Sequence, residues 1–167
     1  DPGYKKLADI SRSVGTLWEY VPLDDEGILV DELAKSPAEI VHVSPANHFP
    51  LGIEMSSSRR KELLRWVNED SHRYIIEDDY DSELRFSGRA QPALFTQDLN
   101  QRVIYLNTFS KTLVPSLRIS YMVLPKQLMD LYARQLSFYS CTVSSFEQGA
   151  LARFIRGGYF ERHINRL

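Results

Sequence analysis

Cysteine is almost missing from this sequence: Cys141 stands alone among 167 residues. A lone cysteine excludes an internal disulfide framework and fits the reducing cytosol, so a cytoplasmic location is expected. Long apolar runs are absent too, with no stretch approaching a membrane span and no signal-peptide pattern at the start. Charge of one sign is also lacking. A formal net charge of -2 gives no global electrostatic reason for nucleic-acid or membrane binding. His42, His48, His72 and His163 show no zinc spacing, and one cysteine cannot complete such a site. The glycine-rich Walker pattern is missing, which argues against a nucleotide phosphate loop. No methionine precedes Asp1-Pro2-Gly3-Tyr4, and this abrupt start leads us to expect a piece of something longer.

What is present suits one soluble globular domain, because 43% hydrophobic and 25% charged residues can build a sizeable core under a polar surface. Helical and strand-like segments alternate without repeats. Lys5 to Val14 predicts a short helix closed by Gly15, and Leu17 to Leu23 an extended aromatic strand that Pro22 places at an edge or end. Asp24-Asp25-Glu26-Gly27 reads as a turn, followed by a short helix capped by Asp31 and running to Lys35. Four apolar runs, Glu39 to Val43, Tyr74 to Glu77, Val103 to Leu106 and Ile119 to Leu124, read as strands buried on both faces of a parallel sheet. The serines at 56 to 58 are placed to cap a helix reaching Asn68, with Leu63, Leu64 and Val67 on its apolar face. Further helices are expected over Lys126 to Phe138 and Ser145 to Ile155, the latter ended by Gly157-Gly158. This order predicts an α/β fold, a mostly parallel sheet flanked by helices, with ligand groups at the carboxyl ends of strands.

Three loops at such ends carry candidate chemistry. The first is Glu77-Asp78-Asp79-Tyr80-Asp81-Ser82-Glu83, which alone reads as a solvated acidic turn or, less specifically, a divalent-cation site. The second is Thr108-Phe109-Ser110-Lys111-Thr112-Leu113 with Pro115 and Arg118, where hydroxyls, a lysine and a forked guanidinium could hold a phosphate. A lysine in such a loop is most often simply solvated. The third, Ser44-Pro45-Ala46-Asn47-His48-Phe49-Pro50-Leu51-Gly52, is a rigid turn that says little by itself. Arg59-Arg60-Lys61 reads as a solvated helix start, and Trp18 and Trp66 as packing residues.

Taken in order, the three loops with Met55 and Arg59-Arg60 resemble the aminotransferase-like domain of MocR/GabR-type bacterial transcription regulators of the GntR family. These are relatives of the fold-type I aminotransferases, and the resemblance runs over essentially the whole chain. It implies part of the large domain of that fold over residues 1-167, with an N-terminal winged helix-turn-helix and a C-terminal subdomain outside the chain. It also implies pyridoxal 5'-phosphate (PLP) as cofactor. By the family pattern Lys111 forms the Schiff base with the cofactor aldehyde, and Asp78 pairs with the pyridine nitrogen, Asp79 being the competing choice. Tyr80 contacts the ring 3-hydroxyl, while Thr108, Ser110 and Arg118 hold the phosphate. Tyr4 lies near the cofactor, or is an ordinary packed aromatic.

Two departures from the wider pattern stand out. Phe49 precedes Pro50 where many aminotransferases have asparagine, so that ring contact is missing or taken by Asn47 or His48. His48 itself is read as a turn or interface residue. Lys5 and Lys6 stand where the regulators can carry a carboxylate-binding arginine, which leaves ligand preference open. The implied function is an effector-sensing domain that exchanges its Schiff base with an amino compound. The alternative is a catalytic aminotransferase, so the sequence leaves open whether the domain is an enzyme. The resemblance further implies a homodimer and DNA contact only through a domain outside this chain. PLP belongs to the full-length protein, and affinity of the 167-residue chain alone is expected to be weak or absent.

Overall fold

A computed structural model describes residues 3-81, 83-84 and 91-167. Asp1, Pro2 and Ser82, which belong to the motifs above, lie outside the described residues. Among the described residues no helix is long and apolar enough to cross a membrane.

The centre is a four-stranded sheet in the order β3-β4-β5-β6, formed by Ile40–Val43, Tyr74–Asp78, Val103–Thr108 and Ser120–Val123. β3, β4 and β5 are parallel, and β6 returns antiparallel to β5. The mostly parallel sheet is thus as expected, but burial on both faces is not. Val41, Val43, Ile75 and Val103 are buried on one face, joined by Leu63, Trp66 and Val67 in a single core. Those last three lie on α3 (Ser57–Asn68), which Ser56 caps by accepting from the Arg59 amide. His42, Ile76, Asp78 and Thr108 lie on the opposite face and are only half-buried. Every residue of β6 from Ser120 to Met122 is exposed. Period-two side-chain alternation therefore leaves one buried face and one partly open face that carries polar groups.

The helices follow their end signals closely. α1 (Lys5–Ser13) stops just before Gly15, whose φ of 78° is the left-handed conformation expected there. α5 (Lys126–Leu136) and α6 (Ser145–Arg156) occupy the predicted segments, and Ser144 and Glu147 form a capping box at the start of α6. α7 (Tyr159–Ile164), entered through left-handed Gly158, was not anticipated. Nor was α4 (Leu94–Gln97).

Two segments correct the sequence reading. Leu17 to Leu23 is extended, and a strand is formed at its end, where β1 (Leu23–Asp24) meets β2 (Gly27–Ile28) in a hairpin. Gly27 closes that hairpin at φ 113°, and a Cβ there would sit 3.2 Å from Met55 Cγ. The following helix, α2 (Val30–Leu33), starts after Leu29, so Asp31 lies within its first turn and supplies no side-chain cap. An acidic residue in that turn still complements the helix dipole.

Candidate active site

The carboxyl ends of β3, β4 and β5 deliver the three loops singled out above. Alternation along β4 sorts the acidic run. Glu77 and Asp79 are buried, while Asp78 between them is half-buried and lines an open cleft of ≈ 580 Å³. The solvated-turn reading of this run therefore fails. Glu77 accepts from the Leu94 and Phe95 amides at 2.8 Å each, which fastens the start of α4 to the sheet. Asp79 accepts from the Tyr105 hydroxyl at 2.6 Å. Burial raises the Glu77 carboxyl above its ordinary range, and the two amide bonds oppose that shift.

Tyr4, His42, His48, Asp78, Tyr80 and Lys111 all line the cleft, with Trp18 and Phe49 among its apolar wall. Lys111 is exposed and makes no hydrogen bond or salt bridge among the described residues. Its charge is felt at Asp81. That carboxyl is raised by burial, lowered by the Asn47 hydrogen bond, raised by the Asp79 charge, and lowered by Lys111. Asn47 donates from Nδ2 to Asp81 at 2.6 Å, and Tyr80 donates its hydroxyl to the Asn47 carbonyl at 2.8 Å. Burial pushes the Tyr80 hydroxyl up to about 12, with the Asp81 and Asp78 charges adding to the rise. It therefore remains a donor at neutral pH. Tyr4 packs edge-on against Phe49 with ring centroids 6.0 Å apart.

Thr108, Ser110, Arg118 and Asn47 are not among the residues that line the cleft. The Ser110 hydroxyl donates to the Leu117 carbonyl at 2.8 Å, and Thr108 Oγ1 donates to the Ile119 carbonyl at 3.2 Å. Arg118 is exposed and has no hydrogen bond or salt bridge among the described residues. Lys111, Asp78, Tyr80 and Tyr4 of the predicted set therefore converge on the cleft, whereas Asn47, Thr108, Ser110 and Arg118 do not line it and the Thr108 and Ser110 hydroxyls turn toward backbone. No group of acidic, histidine or cysteine side chains among the described residues is arranged to hold a metal ion.

Three residues had gone unrecognised in the sequence. Arg59 and Arg60 are buried, with relative exposures of 9% and 2%, which overturns their reading as a solvated helix start. Arg59 donates to the Ile28 carbonyl and pairs with Asp24 at 2.8 Å. Arg60 donates to the carbonyls of Met55, Pro45 and Pro92 at 3.0, 2.9 and 3.1 Å. Both guanidiniums replace water with fixed carbonyls, and several of their partners, Ile28, Pro45 and Pro92, lie far away in sequence. The third is His42, whose Nε2 lies 3.4 Å from Asp78 Oδ2 on the neighbouring strand. Trp18, read as a packing residue, is half-buried and borders the cleft.

The buried carboxyls imply a pH dependence of known sign. Glu77 and Asp81 are raised in the folded state above their ordinary values of 4.5 and 3.8. Their contribution to stability is full below the unfolded-state pKa and is lost as pH rises through the folded-state value. Glu77→Gln is therefore expected to lower stability overall, because one amide loses its acceptor. It should also flatten the decline of melting temperature between about pH 4 and about pH 7. Thermal melts across that range check this; a slope steeper than wild type would contradict it.

No protein-family model matches the sequence. The chain is 43% identical over 167 residues to the uncharacterized HTH-type transcriptional regulator YdeL of Bacillus subtilis, covering 100% of this chain and 36% of that protein. It is 39% identical over 167 residues to the probable rhizopine catabolism regulatory protein MocR of Rhizobium meliloti, covering 100% and 34% respectively. The chain thus spans about a third of the length of the curated relatives it matches. Among solved structures, a Pyrococcus horikoshii kynurenine aminotransferase superposes with a TM-score of 0.88 at 32% identity, over 99% of this chain and 43% of that one. The α-aminoadipate aminotransferase LysN of Thermus thermophilus gives 0.83 at 28% identity, over 99% and 44%. The chain is homologous to the aminotransferase-like region of MocR-type helix-turn-helix transcription regulators, and it has the α/β fold of the type I PLP aminotransferases.

Proposed function

We propose that this chain is the PLP-binding, effector-sensing part of a MocR-type regulator, with Lys111 as the residue that takes the cofactor covalently. The observation that carries the reading is the convergence of Lys111, Asp78 and Tyr80 on one cleft. The solved Pyrococcus horikoshii relative was captured with pyridoxamine phosphate, and LysN with a phosphopyridoxyl-leucine. The residues present fit the ring of such a group: an amine, an aspartate side chain and a phenol in one cleft. When bound, PLP supplies an electrophilic carbon and an electron-withdrawing ring. Lys111 Nζ supplies the nucleophile, and it is free of competing partners among the described residues. Asp78 holds a proton at the pyridine nitrogen, being the carboxylate of its run that faces the cleft while Asp79 faces Tyr105. Tyr80 donates toward the ring oxygen, at the expense of its bond to the Asn47 carbonyl. Thr108, Ser110 and Arg118 hold the phosphate once the two hydroxyls rotate away from Ile119 and Leu117.

In this reading an incoming amino compound displaces Lys111, and the sensing state differs from the resting state in its affinity for that compound. DNA is contacted through the helix-turn-helix of the complete protein, which acts as a homodimer with Tyr4 close to the site. The 167-residue chain on its own holds PLP weakly. Borohydride reduction of the full-length protein with PLP, followed by peptide mapping, tests the assignment. A stoichiometric adduct on Lys111 is expected, and its absence would sink the proposal. The similarity to aminotransferases favours a second reading, catalytic transamination. Sustained turnover of an amino donor and a keto acid by the full-length protein would decide for it.

A further inference from the structure

The open face of the sheet holds a histidine that the cofactor assignment leaves without a task. His42 sits on β3 and Asp78 on β4, and parallel register places His42 opposite Ile76, so Asp78 is the next residue up on the same face. Their side chains are 20% and 30% exposed, and His42 Nε2 lies 3.4 Å from Asp78 Oδ2. That nitrogen is shut off from solvent, yet it has no hydrogen-bond partner. Asp78 for its part makes no hydrogen bond among the described residues, and His42 is its one ion-pair partner there. Both side chains line the cleft with Lys111 and Tyr80. Two half-buried polar side chains, one with its Nε2 shut off from solvent, are held at near-contact by neighbouring strand backbones.

We infer that His42 is a positioning residue for the cofactor: its ring donates from Nε2 to Asp78 Oδ2, which orients that carboxylate toward the pyridine nitrogen. This rests on the PLP reading above. A small reorientation of the ring would turn the 3.4 Å contact into a charge-assisted hydrogen bond. The role differs from packing, because an apolar side chain of similar size would fill the space without holding the carboxylate.

The test compares wild type, His42→Leu, His42→Gln, Asp78→Asn and the His42→Leu/Asp78→Asn double variant in the full-length protein. PLP affinity is read by absorbance titration together with the spectrum of the bound cofactor. Loss of one hydrogen bond to a charged group predicts about tenfold weaker binding and an altered bound spectrum for His42→Leu. Glutamine places an amide donor near the position of Nε2 and is expected to restore both. In the double variant the leucine should add little beyond Asp78→Asn, since both act through one contact. Wild-type affinity and spectrum in His42→Leu, or fully additive effects in the double variant, would overturn the inference. A second readout needs neither cofactor nor a stable His42 variant. The ¹⁵N resonance of His42 Nε2 in the cofactor-free protein is expected to move in Asp78→Asn, and an unmoved resonance overturns the contact. Failure of the wild-type protein to bind PLP would instead sink the functional proposal, leaving the resonance experiment to judge the pair.

Discussion

Lys111→Ala in the full-length protein is expected to abolish borohydride trapping of PLP while leaving the fold in place. The two halves of that expectation have separate grounds. Covalent capture needs a neutral primary amine that can reach the aldehyde carbon, and alanine has none. Lys111→Arg should fail as completely, because a guanidinium keeps the charge but does not lose its proton in proteins. Folding, by contrast, gains little from this side chain. Lys111 is exposed and has no hydrogen bond or salt bridge among the described residues. A surface change of that kind costs within about 0.5 kcal/mol. Non-covalent PLP should persist at reduced affinity, visible as cofactor that dialyses away. Equal adduct yield in Lys111→Ala, mapped to another lysine, would remove Lys111 from the site.

The largest loss of stability is expected from Arg60→Met. Arg60 is 2% exposed and serves the carbonyls of Met55, Pro45 and Pro92, so it ties the Pro92 segment to the loop whose Pro45 and Met55 ends already share a backbone hydrogen bond. Methionine fills much of the volume but satisfies none of the three. What is lost is three hydrogen bonds from a charged donor, each contributing about 1.5–3 kcal/mol, since Pro45 still accepts from the Met55 amide at 2.8 Å and Pro92 from Gln97 at 3.0 Å. The Glu77 charge, which favours the charged form of Arg60, also loses its counterpart. A loss of this size is a large share of a total domain stability of about 5–15 kcal/mol. Urea unfolding of wild type and variant measures the difference. Arg60→Lys is expected to fall between them, since one ammonium cannot span three acceptors in the geometry of a planar fork. A loss below about 1 kcal/mol for Arg60→Met would show that the segments hold without the clamp. Because Pro45 opens the loop that carries Asn47, the clamp also supports the Asn47 bonds to Asp81 and Tyr80.

Much of the architecture was legible beforehand because it is written in local signals. Runs of β-branched residues marked the four central strands, and Ser56, Gly15 and Gly158 mark helix ends by capping or left-handed geometry. The extended stretch from Leu17 forms a strand only from Leu23, because aromatic character favours an extended backbone but does not set where a ladder begins. Arg59 and Arg60 were misread for a related reason. Charge predicts exposure unless fixed acceptors are available, and theirs include backbone carbonyls contributed by remote loops. The loop residues around Lys111 were readable as a motif, but their side-chain directions were not. Nothing in Thr-Phe-Ser-Lys shows that the serine and threonine hydroxyls turn to Leu117 and Ile119. His42 was passed over because it was weighed as a metal ligand, whereas its significance lies in strand register.

That register has a further consequence at β4. Glu77 and Asp79 point one way to fasten α4 and Tyr105, and Asp78 between them points to the cleft. A slip of one residue along β5 would exchange the two sets. It would expose the acceptors that anchor α4 and bury Asp78 where neither His42 nor a ligand could neutralise it. Three consecutive carboxylates, indistinguishable by charge, therefore act as a mispairing check: the alignment that folds is the same one that presents a single acid to the cleft.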